Sequence, residues 1–151
     1  MTPTLIGRLQ SRFFLLLIVG VPWTLLISPV LPGLDGAGVG DRYAKITFRI
    51  LGLVCLLGLV VWEPIYHYLQ QYRWEKDWPS LFTLLLGIPE GILAWLLSDF
   101  VLPGSGRAPA KTFLPMFITL WILVWLMAIG PIKVFLIRYR FRGGRFVGKW
   151  S

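Results

Sequence analysis

Four apolar stretches, each close to twenty residues long, dominate this amino-acid sequence. A helix rises about 1.5 Å per residue, so each stretch is about as long as the ~30 Å hydrocarbon core of a bilayer is thick. Of the 151 residues, 56% are hydrophobic and 15% are charged. Soluble domains have roughly 45–50% apolar and about 25% charged residues. We therefore predict an all-α integral membrane bundle of four transmembrane helices, forming one domain over residues 1–151.

Charged residues, glycines and prolines separate the predicted spans. Pro22 and Pro29 each remove a backbone donor, so we expect both to kink the first span. Arg8 and Arg12 precede it, as in a secretory signal, but the apolar run has the length of a span and no A-x-A-like cleavage site follows. We therefore expect a retained anchor. The predicted spans cover about residues 13–31, 46–64, 80–101 and 112–132, followed by a basic tail over 133–151.

Residues 64–79, between the second and third spans, are predicted to form an amphipathic connector at the membrane interface. Ile65, Tyr68, Leu69 and Tyr72 recur at helical spacing, while polar residues occupy the other faces. Tyrosine and tryptophan are frequent in this segment, and their rings prefer the level of the lipid headgroups.

The distribution of Lys and Arg predicts the orientation of the bundle. If both termini and the connector lie on one side, that side carries ten basic residues and the other side four, with Arg49 inside the second span. Cytoplasmic segments of membrane proteins are enriched in Lys and Arg, so both termini are predicted to be cytoplasmic. We expect a plasma membrane location, and the compact loops favour a bacterial inner or cytoplasmic membrane.

Glu90 lies near the middle of the third predicted span, where an ionised carboxylate is costly. Pro89 beside it frees a backbone carbonyl one turn earlier, and Gly87 with Gly91 forms a G-x-x-x-G pattern that permits close helix approach. Two hypotheses remain open. Either Glu90 takes part in proton or cation movement, or a protonated or hydrogen-bonded carboxyl holds two helices or subunits together.

We favour the structural hypothesis for Glu90 because no other span offers a comparable polar group at its midplane. If Glu90 is normally neutral and structural, Glu90→Gln should preserve assembly. A proton-carrying Glu90 should instead lose activity in the variant while assembly remains normal.

Other charged residues inside the spans suggest local pairs. Arg49 and Asp99 lie about one turn inside the external ends of the second and third spans, which predicts an ion pair; alternatively, Arg49 extends to the surface along apolar neighbours. Glu63 and His67 are four residues apart on one helix face. Without a second histidine or a nearby cysteine we predict no metal site there.

Small residues in the second span predict a surface for helix packing. Gly52, Cys55 and Gly58 recur every third residue, which forms a narrow stripe suited to close approach. Cys55 is the only cysteine, which excludes an intrachain disulfide or a CxxC metal pair. With no CxxCH motif for haem either, we expect no cofactor.

The C-terminal tail is expected to contact anionic lipid headgroups on the cytoplasmic side, or a cytoplasmic partner. It contains no acidic residue, and each basic residue near an anionic membrane adds about 1 kcal/mol of attraction. We do not favour nucleic acid as a partner, because the positive-inside bias accounts for most of the basic excess. The basic residues expected to make these contacts are Arg138, Arg140, Arg142, Arg145 and Lys149.

No catalytic motif is present, since the chain has no P-loop, no H-E-x-x-H and no G-x-S-x-G, and His67 is its only histidine. We therefore expect no enzymatic activity and assign no catalytic residues. Kinked, glycine-containing helices leave more packing surface than one small bundle satisfies internally. This favours a non-catalytic subunit of a larger membrane protein complex, with other membrane subunits as partners. The alternative is a small proton- or cation-conducting channel or transporter, built by oligomerisation around Glu90.

Overall fold

Helices form almost all of the described part of the chain. The structure is a computed structural model that describes residues 4–31, 41–72, 80–101 and 108–135, and of residues 41–45 and 101 it describes the backbone alone. The first helix comprises Leu5–Leu15, a π-helical turn at Leu16–Gly20 and Val21–Ile27. The second comprises Asp41–Leu57, a π-helical turn at Gly58–Trp62 and Glu63–Gln71.

The third helix is segmented and the fourth is nearly continuous. The third consists of Ser80–Leu85, Gly87–Leu96 and Ser98–Val101, and the fourth of Ala110–Ile129 and Pro131–Phe135. The predicted all-helical class is confirmed, because the described residues contain no strand.

Three helices are long and apolar enough to cross a membrane, which indicates a membrane location. They are Leu5–Ile27, Ile46–Gln71 and Ala110–Phe135. The third helix contributes Ser80–Leu96, which is apolar but shorter than these three.

The first helix begins and ends earlier than its predicted span. Its start is capped by Thr4, whose side-chain oxygen accepts a hydrogen bond from the Gly7 amide at 3.2 Å. It ends at Ile27, so the predicted kink at Pro29 is wrong and this proline lies in the turn that follows. Ser28 still has the right-handed helical conformation, but Pro29 has no amide hydrogen with which to continue the helical hydrogen bonds. At Pro22 the helix continues, directly after a widened π-helical turn.

The second helix does not end at Pro64, contrary to the prediction of a separate surface connector. It continues to Gln71 as Glu63–Gln71, and a π-helical turn directly precedes the proline. A widened turn accommodates the proline ring, which would otherwise crowd the carbonyl four residues earlier. Residues 73–79 of the predicted connector lie outside the described residues.

The helices run antiparallel in sequence order, and the fourth packs back against the first. At one end, the Ser28 and Thr47 hydroxyls are 2.6 Å apart and join the first helix to the second. At the other end, Arg8 donates to Gln70 at 2.8 Å. We call this second end, which contains Arg8, Gln70, Ser80 and Lys133, the amino-terminal end of the bundle.

The apolar core lies between the helices, mainly along the second and fourth. Ile50 and Val54 of the second helix pack with Met116 and Leu120 of the fourth, and all four are buried. Many outward-facing apolar side chains remain exposed, as expected for helices surrounded by lipid.

Candidate functional site: a buried ionic cluster

Arg12 lies at the centre of a buried group of charged side chains. Its Nη1 donates to Oε1 of Glu63 at 3.2 Å and to Oε1 of Glu90 at 3.1 Å, and its Nη2 pairs with Oε2 of Glu90. Its Cζ also lies 5.6 Å from the centroid of the Trp121 ring, within cation–π range. Since Glu63, Glu90 and Trp121 belong to the second, third and fourth helices, one side chain of the first helix contacts all the others.

Arg8 extends this group towards the amino-terminal end of the bundle. Its Nε donates to Oε2 of Glu63 at 2.8 Å, and its Nη1 donates to Oε1 of Gln70 at 2.8 Å. We call Arg8, Arg12, Glu63 and Glu90 the ionic cluster. It contains two positive and two negative charges, so its members neutralise one another in a site largely shielded from solvent.

Glu90 is the most deeply buried member of the ionic cluster, with 2% of its surface exposed. The break at Leu86 places it in the first turn of the segment Gly87–Leu96. The unpaired amides at the start of a helix carry partial positive charge, which favours a carboxylate there. The two-pronged contact with Arg12 is the geometry in which a guanidinium binds a carboxylate most strongly.

Three of the four glycines singled out in the sequence permit close contacts at this site. A Cβ at Gly58 would overlap the Arg12 guanidinium, and one at Gly87 would overlap the Trp121 indole. A Cβ at Gly91 would lie 2.6 Å from Cε1 of Phe117. Gly52 differs, because no atom of the described neighbouring elements lies within 4 Å of the place its Cβ would occupy.

Trp121 also satisfies backbone at the break in the third helix. Its Nε1 donates to the Leu84 carbonyl at 3.0 Å, close to the turn at Leu86. Pro89 has no amide hydrogen to donate, and it lies exposed on the outer side of the helix. The irregular centre predicted for this segment is therefore present, and an indole of the fourth helix supplies a donor to it.

Two other charged residues singled out in the sequence, Arg49 and Asp99, are not part of the ionic cluster, and a third, Glu63, belongs to it. Arg49 and Asp99 are both exposed, and neither belongs to the ionic cluster. Glu63 is directed at Arg8 and Arg12, and in those same ranges no three metal-ligating side chains converge. Five predicted contact residues lie outside the described part of the chain, namely Arg138, Arg140, Arg142, Arg145 and Lys149.

Sequence reasoning missed the two arginines of the ionic cluster, because it assigned Arg8 and Arg12 to a polar flank before the first span. A signal was available in their spacing, since residues four apart share one face of a helix. Glu63 and Gln70, seven apart, likewise share a face of the second helix. Recognising that these two polar faces meet inside the bundle would have identified a counter-ion for Glu90.

No protein-family model, curated protein or solved structure matches this chain.

Proposed function

We propose that this protein is a non-catalytic subunit of a larger membrane protein complex, in which its four helices span the membrane and act as a packing element. The observation that carries the proposal is the pairing of Glu90 with Arg12. It gives the deepest carboxylate a fixed structural partner that connects four helices.

The pairing of Glu90 favours a structural role over ion conduction. A carboxylate that carries a proton or cation across a membrane must exchange its partner. Glu90 is 2% exposed and is held by two nitrogens of one guanidinium. Releasing it would leave an unpaired charge inside the bundle, which is strongly unfavourable.

The third helix supports two parts of the proposal, the presence of four membrane spans and the contacts with partner subunits. The second helix ends at the amino-terminal end of the bundle and the fourth begins at the other, so the third must connect the two. It is short for a span, yet Ile88, Ile92 and Phe100 are 61%, 56% and 82% exposed. Helices of partner subunits would cover this apolar face where a short helix matches the bilayer poorly.

The orientation proposed for the subunit follows from its charges. Both termini are cytoplasmic, and the basic tail contacts anionic lipid or a cytoplasmic component of the complex, in a bacterial inner or cytoplasmic membrane. The support is the basic excess at one end of the bundle, where Arg8 and Lys133 lie.

The first test is the composition of the particle that contains the protein. A tagged full-length chain is expressed at its native level, extracted in a mild detergent and purified. Native mass spectrometry of the purified particle should then detect other membrane proteins bound to this chain at a fixed ratio. A particle that contains only this chain would contradict the proposal.

The second test addresses conduction directly. Vesicles that contain the purified chain should pass protons, sodium and potassium no faster than protein-free vesicles under an imposed gradient. A flux that Glu90→Gln abolishes, while the Gln variant still inserts and folds, would instead support a channel or transporter.

A further inference from the structure

A cavity of about 400 Å³ lies among the four helices, and the ionic cluster forms part of its wall. This volume is within the range of sites that bind small molecules, roughly 300–1,000 Å³. Its walls differ in polarity. The polar lining residues include Arg8, Ser80, Thr83, Lys133 and the paired side chains Arg12, Glu63 and Glu90, and the apolar lining residues on the first and fourth helices include Leu15, Leu16, Phe117, Leu120 and Val124.

The polar and apolar parts of the cavity follow the direction in which a lipid lies in a bilayer. Arg8, Ser80 and Lys133 are near the helix ends that form the amino-terminal end of the bundle, at the expected level of headgroups. Leu16, Val54 and Leu120 lie further along their helices, towards the bundle centre, where the pair of Arg12 and Glu90 also lines the cavity. A molecule that fits both parts has a polar head and an apolar tail.

The charge at the cavity favours an anionic head. Its lining contains three cations, Arg8, Arg12 and Lys133, and two carboxylates, Glu63 and Glu90, which leaves one positive charge in excess. Both carboxylates are paired with the arginines. Lys133 is exposed and forms no ion pair with another residue of the described ranges. It is thus positioned to bind an anion from outside the chain.

We propose that this cavity binds one anionic phospholipid of the surrounding leaflet. Its phosphate would contact Lys133 and Arg8, which both line the cavity, and one acyl chain would lie against the apolar wall formed by the first and fourth helices. Phosphate oxygens are strong acceptors for both ammonium and guanidinium groups. This inference does not depend on the proposed role as a subunit, because the purified chain by itself contains the whole site.

The test measures lipid retained by the purified full-length chain. The chain is reconstituted into vesicles of phosphatidylcholine with a minor share of phosphatidylglycerol of the same acyl chains, extracted again, and analysed by native mass spectrometry. We expect one retained phosphatidylglycerol per chain. Lys133→Gln should weaken its retention about fivefold, as expected for one basic residue near the headgroups.

Matched variants distinguish the cavity from general attraction to the basic tail, which is intact in all of them. Lys111→Gln removes an exposed lysine of the same helix at the opposite end, and it should not change retention. Ala128→Phe places a ring in the cavity and should abolish retention. Ile122→Phe, at an exposed position of the same helix that does not line the cavity, should have no effect.

Any one of several results would overturn the inference. They are equal retention of phosphatidylcholine and phosphatidylglycerol, equal losses for Lys133→Gln and Lys111→Gln, and full retention in a folded Ala128→Phe protein. Selective retention of added free fatty acid over phospholipid would also contradict it, because the phosphate would then not be recognised.

Discussion

Arg12 places a guanidinium in a position where a charge requires compensation. Only 9% of its surface is exposed, and its neighbours include the Trp121 ring of the fourth helix. Removing two charges from water costs several kcal/mol for each ion, and only excellent geometry with further hydrogen bonds offsets that cost. The contacts of Arg12 with two carboxylates meet this requirement. We therefore expect that replacing Arg12 destabilises the protein mainly because it removes the partner of these carboxylates.

The first prediction is a double-mutant cycle on the pair formed by Arg12 and Glu90. Arg12→Leu or Glu90→Leu alone should lower the free energy of unfolding by about 3–5 kcal/mol, because each leaves the ionic cluster with one uncompensated buried charge. The double variant should be clearly more stable than either single variant, since it removes both charges together. Unfolding in mixed micelles with increasing denaturing detergent gives the three values.

Additive losses in this cycle would show that the two side chains do not stabilise the bundle as a pair. Arg49→Leu is the control, because it removes an exposed arginine that lies outside the ionic cluster. The cycle also changes the expectation for Glu90→Gln. A neutral carboxyl would tolerate that change, whereas a carboxylate paired with Arg12 should not, so we expect assembly to be weakened.

The second prediction compares two glycines on the second helix. Gly58→Ala should destabilise the protein by about 1–3 kcal/mol, because its methyl group would force the Arg12 guanidinium away from its partners. Gly52→Ala should stabilise it by up to about 1 kcal/mol, since alanine is the better helix former and the site is open. Thermal unfolding monitored by tryptophan fluorescence measures both, and similar effects at the two positions would refute the assigned contacts.

At the scale of the elements, the third helix is the least regular and depends on its neighbour. Its breaks at Leu86 and Leu97 leave backbone groups that a continuous helix would pair. Indole groups of the fourth helix donate to Leu84 at 3.0 Å and to Ser80 at 2.8 Å. The fourth helix therefore holds the third by hydrogen bonds as well as by packing against Gly87 and Gly91.

The third prediction concerns Trp121, which makes the more shielded of these two bonds. Trp121→Phe keeps an aromatic ring near Arg12 but removes the donor to the Leu84 carbonyl. The expected loss is about 1–3 kcal/mol, the usual cost of a buried polar group left without a partner. Trp125→Phe is the matched control, because its bond to Ser80 is exposed and its loss should cost less. Equal losses in detergent unfolding would argue against a special role for the break.

At the scale of the whole molecule, the described side chains place the arginines of the ionic cluster towards the amino-terminal end of the bundle. At the opposite end, the described hydrogen bonds include Ser28 with Thr47 and Trp95 with the Ala108 carbonyl at 2.9 Å. The position of the arginines is consistent with the basic excess of the termini, and it motivates a direct test of orientation.

The fourth prediction is the sidedness of single cysteines, placed in a Cys55→Ala background. A maleimide that cannot cross membranes should label Ser105→Cys in intact cells, because the loop between the third and fourth helices is expected to be external. Thr2→Cys and Ser151→Cys should be labelled only after permeabilisation. Labelling of either terminus in intact cells would reverse or reject the four-span orientation.

Much of the class and little of the site could be predicted from the sequence. The length and apolarity of the runs predicted helices of membrane-spanning size, since the thickness of hydrocarbon sets that length. The ends of the first two helices were placed wrongly, because prolines and charged residues were treated as boundaries. In the structure Arg8 and Arg12 lie inside the first helix, and Pro64 lies inside the second.

The sequence by itself determined the hydrophobic composition and the apolar runs. It also determined the position of Glu90 near the middle of one run, because that position is a property of a single segment. Only the tertiary structure decided which groups compensate that carboxylate. Its partners on the first and second helices are 78 and 27 residues away, Arg12 directly and Glu63 through the shared guanidinium. Electrostatic compensation depends on distance in space, and packing of the helices brings these groups within hydrogen-bond range.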